Sequence, residues 1–315
     1  MCDCQFERVF RQLGRHVTQY LDFKSRIAMQ LVSKSVAETV RSLPPAHFDF
    51  VELTPSAGPS KTVRICVMDV SASPIFVVDR TFERSEGIDN FLKLFKDSNS
   101  SIGTLLLGAP TGTNRAFPEF LADLVAKWTA ARVLRVKTLK WGLNEQGGTL
   151  FLRVLRKLDP FELKSMTIWN GVLSGPVLKE FVGTEQFGSC EKVEIEPVID
   201  YLSHHFFHFK KLKLKVNGLS ANVFLDLVKI FHSKNHKPGS FFYLHSLSSV
   251  DITQIAGAFE MAKNRGERFE ECYTFKNAKS QCILCVRISE DQLFGVVCRA
   301  KHLEEDLREL FVWNM

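Results

Sequence analysis

Tryptophan, tyrosine and methionine are scarce in this 315-residue chain, at four, four and six residues. Phenylalanine is not: its 27 copies predict a core rich in aromatic rings. No uninterrupted apolar run approaches the roughly 20 residues of a membrane span, so no membrane helix is expected. The first residues, MCDCQFERVF, carry acids and no apolar core, so they do not read as a secretory signal. The expected location is cytoplasmic or nuclear. There the eight cysteines stay reduced, and the sequon Asn99-Ser100-Ser101 stays unmodified.

Motifs of chemistry are also missing. GAPTGTNR, from Gly108, lacks the Gly-Lys-Ser/Thr ending that cradles a phosphate and reads as a loop. There is no Gly-x-Ser-x-Gly elbow and no dinucleotide fingerprint after the first strand. Cys282 and Cys285 have zinc-like spacing but no second pair to complete four ligands, and they lie inside an apolar run; buried structural thiols are expected. His204 and His208, in YLSHHFFHF, would share a helix face. However, His205 stands where a metalloprotease needs Glu, so a partly exposed amphipathic helix is expected. These absences predict a protein that is not an enzyme and has no cofactor. A metal-dependent hydrolase built on the histidines is the remaining catalytic alternative.

Charge points the same way. The net charge is +6 with a pI near 8.8, and the basic residues are interleaved with acids rather than clustered. Lys211, Lys213 and Lys215, in FKKLKLK, make one local basic stripe, for which a solvated strand face is the expected reading. Neither nucleic acid nor membrane is an expected partner.

What is present changes in texture along the chain. Residues 5–43 have helical spacing: Phe6, Val9, Phe10 and Leu13 form one stripe, and Ile27, Leu31, Val32, Val36 and Val40 another. Asp22 can cap the second, and Pro44-Pro45 ends it. HFDFVEL, TVRICVMDV and PIFVVDR then read as strands, with the turn-rich TPSAGPSK after the first. The spacing predicts a helical unit over 1–45 and a second domain over 46–315.

From residue 100 a short apolar pattern recurs. It reads Ile102-Leu105-Leu107, Val136-Leu139-Trp141, Leu163-Met166-Ile168, Cys190-Val193-Ile195 and Phe209-Leu212-Leu214. The first residues are 34, 27, 27 and 19 apart. Helical stripes intervene, such as Phe117-Phe120-Leu121-Leu124-Val125-Trp128, Leu150-Phe151-Val154-Leu155-Leu158 and Phe224-Leu225-Val228-Phe231. Strand and helix alternating at this period is the layout of an irregular leucine-rich-repeat-like α/β solenoid; a generic α/β fold is the alternative. FEECYTF, SQCILCVRI and LFGVVCRA read as further strands that cap or extend the sheet, and HLEEDLRELF as a closing helix.

Side chains alternate across a strand, so the residues between the repeated apolar positions should share the open face. Lys140, Thr167, Trp169, Glu194, Lys211 and Lys213 are the candidate target-binding residues, and Trp169 is the candidate anchor.

The N-terminal stretch YLDFKSRIAMQLVSKSVAETV resembles an F-box of the divergent type found in nematode proteins. Leu21-Asp22-Phe23-Lys24-Ser25-Arg26 matches the turn into the middle helix, and Leu31-Val32-Ser33-Lys34-Ser35 the core of the last helix. The usual opening Leu-Pro is replaced by the run Phe6 to Leu13, and Val36 stands where an aromatic residue is common. A plain helical cap for the solenoid is the alternative. The resemblance implies docking to a Skp-type adaptor, and through it to a cullin scaffold, by Tyr20, Leu21, Phe23, Ile27, Leu31 and Val32. Some nematode F-box proteins carry an FTH domain behind the F-box, and FGSCEKVEIE, from Phe187, resembles one of its segments. The expected function is a substrate-recognition subunit of an SCF-type ubiquitin ligase. The alternative is a repeat scaffold that binds proteins without any link to ubiquitin.

Overall fold

The computed structural model describes residues 47–299 except 57–60, 71–75, 95–99, 109–116, 129–132, 143–147, 235, 249–254, 256–262, 265–271, 277–281 and 290. The helical unit expected over residues 1–45, with Tyr20, Leu21, Phe23, Ile27, Leu31 and Val32, lies outside the described residues, as does the closing helix. The described chain is mixed α/β and divides into two compact units, Met1–Leu163 and Lys164–Met315. None of the described helices is long and apolar enough to cross a membrane.

In the first unit, β1 (His47–Pro55), β2 (Thr62–Asp69) and β3 (Phe76–Glu83) form an antiparallel meander. The helix α1 (Arg84–Leu94) follows, then β4 (Ser101–Leu107), α2 (Phe117–Lys127), β5 (Arg135–Gly142) and α3 (Gly148–Leu155). β1, β4 and β5 are parallel neighbours. Their register extends the repeated pattern to a strand in which the sequence had not shown it. Phe48, Ile102 and Val136 stand in one row, Val51, Leu105 and Leu139 in the next, and Leu53, Leu107 and Trp141 in the third. All nine are at most 1% exposed. Burying an apolar side chain of this size contributes about 1.5–3 kcal/mol, so these rows fix the register.

The helices cover the face that carries the second and third rows. The Trp141 ring lies edge-on to Phe117 of α2 at 5.9 Å and to Phe151 of α3 at 5.0 Å, while Phe91 of α1 meets Trp128 at 6.3 Å. Polar links tie α1 to α2: Arg84 reaches Glu119 at 2.9 Å and Asp123 at 3.0 Å, and Lys127 reaches Asp89 at 2.9 Å. At the end of β4, Gly108 holds a φ of 118°, which an L side chain rarely adopts, and its N–H donates to the Leu53 carbonyl.

The second unit runs β6 (Ser165–Trp169), α4 (Gly175–Val182), α5 (Glu185–Ser189), β7 (Lys192–Tyr201), a 3-10 turn (His204–His208), β8 (Lys211–Gly218), α6 (Ala221–Ser233) and β9 (Phe241–Ser246). It continues with β10 (Lys263–Asn264), β11 (Cys272–Lys276), β12 (Cys282–Ile288) and β13 (Gln292–Arg299). β6 to β9 are parallel and adjacent in chain order. β13 then pairs antiparallel with β9, followed outward by β12, β11 and β10, so the C-terminal strands extend the sheet.

Two departures from expectation have local causes. YLSHHFFHF forms a 3-10 turn rather than an α-helix. Only nine residues separate Tyr201 from Lys211, too few for a full helical crossover, and Phe206 and Phe207 are buried from this short turn. β9 had no expected counterpart, although it carries the rows forward: Met166, Val193, Leu212 and Phe242, then Ile168, Ile195, Leu214 and Leu244. Gly295 of β13 lies opposite Phe242, where an added Cβ would sit 2.1 Å from the ring. Only glycine leaves Phe242 its place against Phe224 and Phe231 of α6.

Candidate target-binding face

Strand parity holds from Leu139 onward in β5 and through β6, β7 and β8. The apolar positions are buried, and the candidate target-binding residues point the other way: Lys140 and Lys211 are exposed, while Thr167, Trp169, Glu194 and Lys213 are half-buried. Lys140, on β5, belongs to the first unit. The register brings most of the others together in the second. Thr167, Glu194, Lys213 and Tyr243 form one row across β6, β7, β8 and β9, and Ser165, Lys192, Lys211 and Phe241 form the row beside it.

Electrostatics organise the middle row. Glu194 Oε1 lies 2.9 Å from Lys213 Nζ, and Oε2 lies 3.8 Å from Lys192 Nζ. Neither Lys211 nor Lys215 has an acidic partner among the described residues. Lys215 lies beside Val198, because Glu196-Pro197 shifts the register of β7 between Ile195 and Val198. Proline has no N–H for the ladder, which is why the strand slips there. At the margin Lys210 donates to Glu191 at 2.8 Å, and that hydrogen bond holds the Glu191 carboxyl below its usual range.

Sequence reasoning missed the aromatic border. β9 places Phe241, Tyr243 and His245 directly opposite Lys211, Lys213 and Lys215. Burial raises the Tyr243 phenol, and the charge of Lys213 partly offsets that rise. Phe241 and Tyr243 lean on an apolar cluster of Ile283, Cys285, Phe294, Val296 and Cys298, on the same side of the sheet. The open face thus changes from charged at β6–β8 to apolar at β12–β13. The turn signal Pro238-Gly239 followed by the short aromatic run Phe241-Phe242-Tyr243 was the signal that could have revealed this strand.

The other candidates are resolved by position. Cys282 and Cys285 lie three apart on β12, so they point to opposite faces; Cys285 is buried and Cys282 half-buried. They cannot act as one chelating or redox pair. His204 lies 3.5 Å from Asp226, whereas the ring nitrogens of His208 face the carbonyls of His205 at 2.7 Å and Phe187 at 3.0 Å. Among the described residues no group of three or more His, Cys, Asp or Glu side chains could hold a metal ion. A cavity of about 420 Å³ in the first unit is lined by Val125, Val133, Arg153, Arg156 and Lys157, which offer charge but no nucleophile with a base.

Neither the curated proteins nor the solved structures contain a match to the chain. Residues 119–262, from the first turn of α2 to just before β10, match the family model of the FTH domain, a family found in nematode F-box-associated proteins.

Proposed function

We propose that the chain is a substrate-recognition subunit of an SCF-type ubiquitin ligase. The match of residues 119–262 to the FTH domain supports this reading, because that family is found in nematode F-box-associated proteins and the stretch before it resembles an F-box. Residues 1–45 dock a Skp-type adaptor, and through it a cullin scaffold. Tyr20, Leu21, Phe23, Ile27, Leu31 and Val32 supply the contact. A helical unit of this size buries little by itself, so its leftover apolar surface is best covered by a partner. The remaining chain holds the target on the open face of its parallel strands, which stack as an irregular solenoid. Lys140, Thr167, Trp169, Glu194, Lys211 and Lys213 face outward for that purpose. The subunit needs no catalysis of its own. It raises the local concentration of the target beside a ubiquitin-loaded enzyme.

Co-purification of the full chain with a Skp-type adaptor tests the reading. Wild type should be retained, and Phe23→Ala or Leu31→Ala should lose about 2 kcal/mol or more of binding while the circular dichroism spectrum stays that of wild type. A folded wild-type chain that is not retained would refute the ubiquitin link and leave the protein-binding scaffold.

A further inference from the structure

The lysines of β8 form a patterned stripe rather than a uniform one. Lys211, Lys213 and Lys215 alternate with the buried Leu212, Leu214 and Val216, so they share the open face. The central charge is already answered, since Lys213 pairs with Glu194 at 2.9 Å. The outer two, four residues apart, have no acidic partner among the described residues. At about 3.3 Å per residue, their Cα atoms are about 13 Å apart. The face therefore presents, in line, a cation, a central Lys213–Glu194 pair whose carboxylate also lies 3.8 Å from Lys192, and a second cation.

We propose that this face seats an extended acidic segment of a protein target, with carboxylates four residues apart on Lys211 and Lys215 and a neutral side chain over the Lys213–Glu194 pair. The inference rests on the substrate-subunit reading for the target's role, but the site is defined by its own geometry. An extended peptide has the same rise as the strand beneath it, so side chains four apart meet lysines four apart. A phosphodiester backbone fits less well. It carries charge at every step and would place one over Glu194. The aromatic border is not a free stacking platform, because Phe241 and Tyr243 pack against the cluster centred on Phe294 and Val296.

The test is fluorescence anisotropy of the full chain with labelled 13-residue Gly/Ser peptides carrying two glutamates. In one peptide these are four residues apart; in another, of equal charge, they are two apart. A single-stranded oligonucleotide serves as competitor. The four-apart peptide should bind several-fold more tightly, and Lys211→Glu/Lys215→Glu should weaken it about tenfold. Lys211→Gln/Lys215→Gln, which adds no repulsion, should fall between and lose the salt dependence that wild type shows. Equal binding of the two peptides, full binding by the Gln variant, or displacement by the oligonucleotide at lower concentration than by unlabelled peptide would overturn the proposal. Adaptor capture is measured on the same preparations. If wild type binds the four-apart peptide but captures no adaptor, the acidic-segment site stands and the ubiquitin ligase reading fails.

Discussion

Removing the Phe187 ring should cost the second unit more than any surface change described above. Phe187 is 1% exposed and is the hub of an aromatic group. Its ring meets Phe181 of α4 at 4.9 Å, Phe209 at 5.0 Å and Phe206 at 5.3 Å, each close to edge-on. Its backbone is held as well: the Phe187 N–H donates to Thr184 Oγ1 at 3.2 Å, capping α5. Phe187→Ala leaves a cavity bordered by three rings that are each fixed elsewhere, so collapse is limited. The expected loss is about 3–5 kcal/mol. For a unit of this size that is about 6–20 °C in Tm. Phe187→Leu should lose less, because most of the volume remains. Glu185→Ala, an exposed change on the same short helix, should stay within about 0.5 kcal/mol of wild type. Thermal and urea unfolding followed by circular dichroism measure all three, and hydrogen exchange in β7 and β8 locates the effect. If Phe187→Ala and Glu185→Ala melt within 2 °C of each other, on the order of the shift of one weak contact, the ring is not the hub that its contacts imply.

Three further predictions address the face and the buried ionisable groups. Trp169→Ala should weaken target capture and leave the Tm and adaptor capture nearly unchanged, since Trp169 is half-buried on the outward side of β6; a large drop in Tm would place the indole in the core. His236 stacks on Phe231 at 4.3 Å, and its Nε2 has no hydrogen-bond partner among the described residues. Burial, then Lys234 and Lys210, lowers its pKa from 6.5 to about 4. Its neutral form therefore contributes stability that is present above about pH 6.5 and fades as pH falls toward 4, by about 1 kcal/mol once solvent screening of this half-buried ring is allowed for. His236→Phe should flatten that part of the stability–pH curve, and an unchanged slope would count against the assignment. Burial pushes the Cys190 thiol up to about 12, so a disulfide reagent at pH 8 should leave Cys190 unmodified in the folded protein and modify it in urea. Modification at equal rates in both states would mean that Cys190 is not buried.

The apolar rows were legible in the sequence because they obey one rule with a large energy behind it. Val136, Leu139 and Trp141 repeat the spacing of Ile102, Leu105 and Leu107, and a slip of one residue would turn Leu105, Leu107, Leu139 and Trp141 away from the helices. FGSCEKVEIE lies within the stretch that matches the FTH domain, and it carries the ring hub Phe187, the buried Cys190 and the inward residues Val193 and Ile195. β9 was not legible, because its Phe241 and Tyr243 blur the contrast between inner and outer positions. Both faces of the sheet have become apolar by that point. The same holds more strongly in β12 and β13, where Ile283 to Val286 and Leu293 to Val297 are buried in unbroken runs and parity leaves no trace.

That loss of parity bears on where a target can sit. A face that takes a charged segment must stay hydrated when empty, which Lys192, Glu194, Lys211 and Lys213 ensure on β7 and β8. A face built from Phe294, Val296 and Cys298 cannot be left open, and these three are at most 6% exposed. The boundary falls at β9, where Tyr243 stands opposite Lys213 in the register and packs against the apolar cluster. Shortening that side chain would expose apolar surface and remove the wall beside the lysine stripe at once. Tyr243→Ala is thus expected to reduce both stability and peptide binding, whereas Lys211→Gln reduces binding alone. That contrast separates the residues that shape the groove from those that read its occupant.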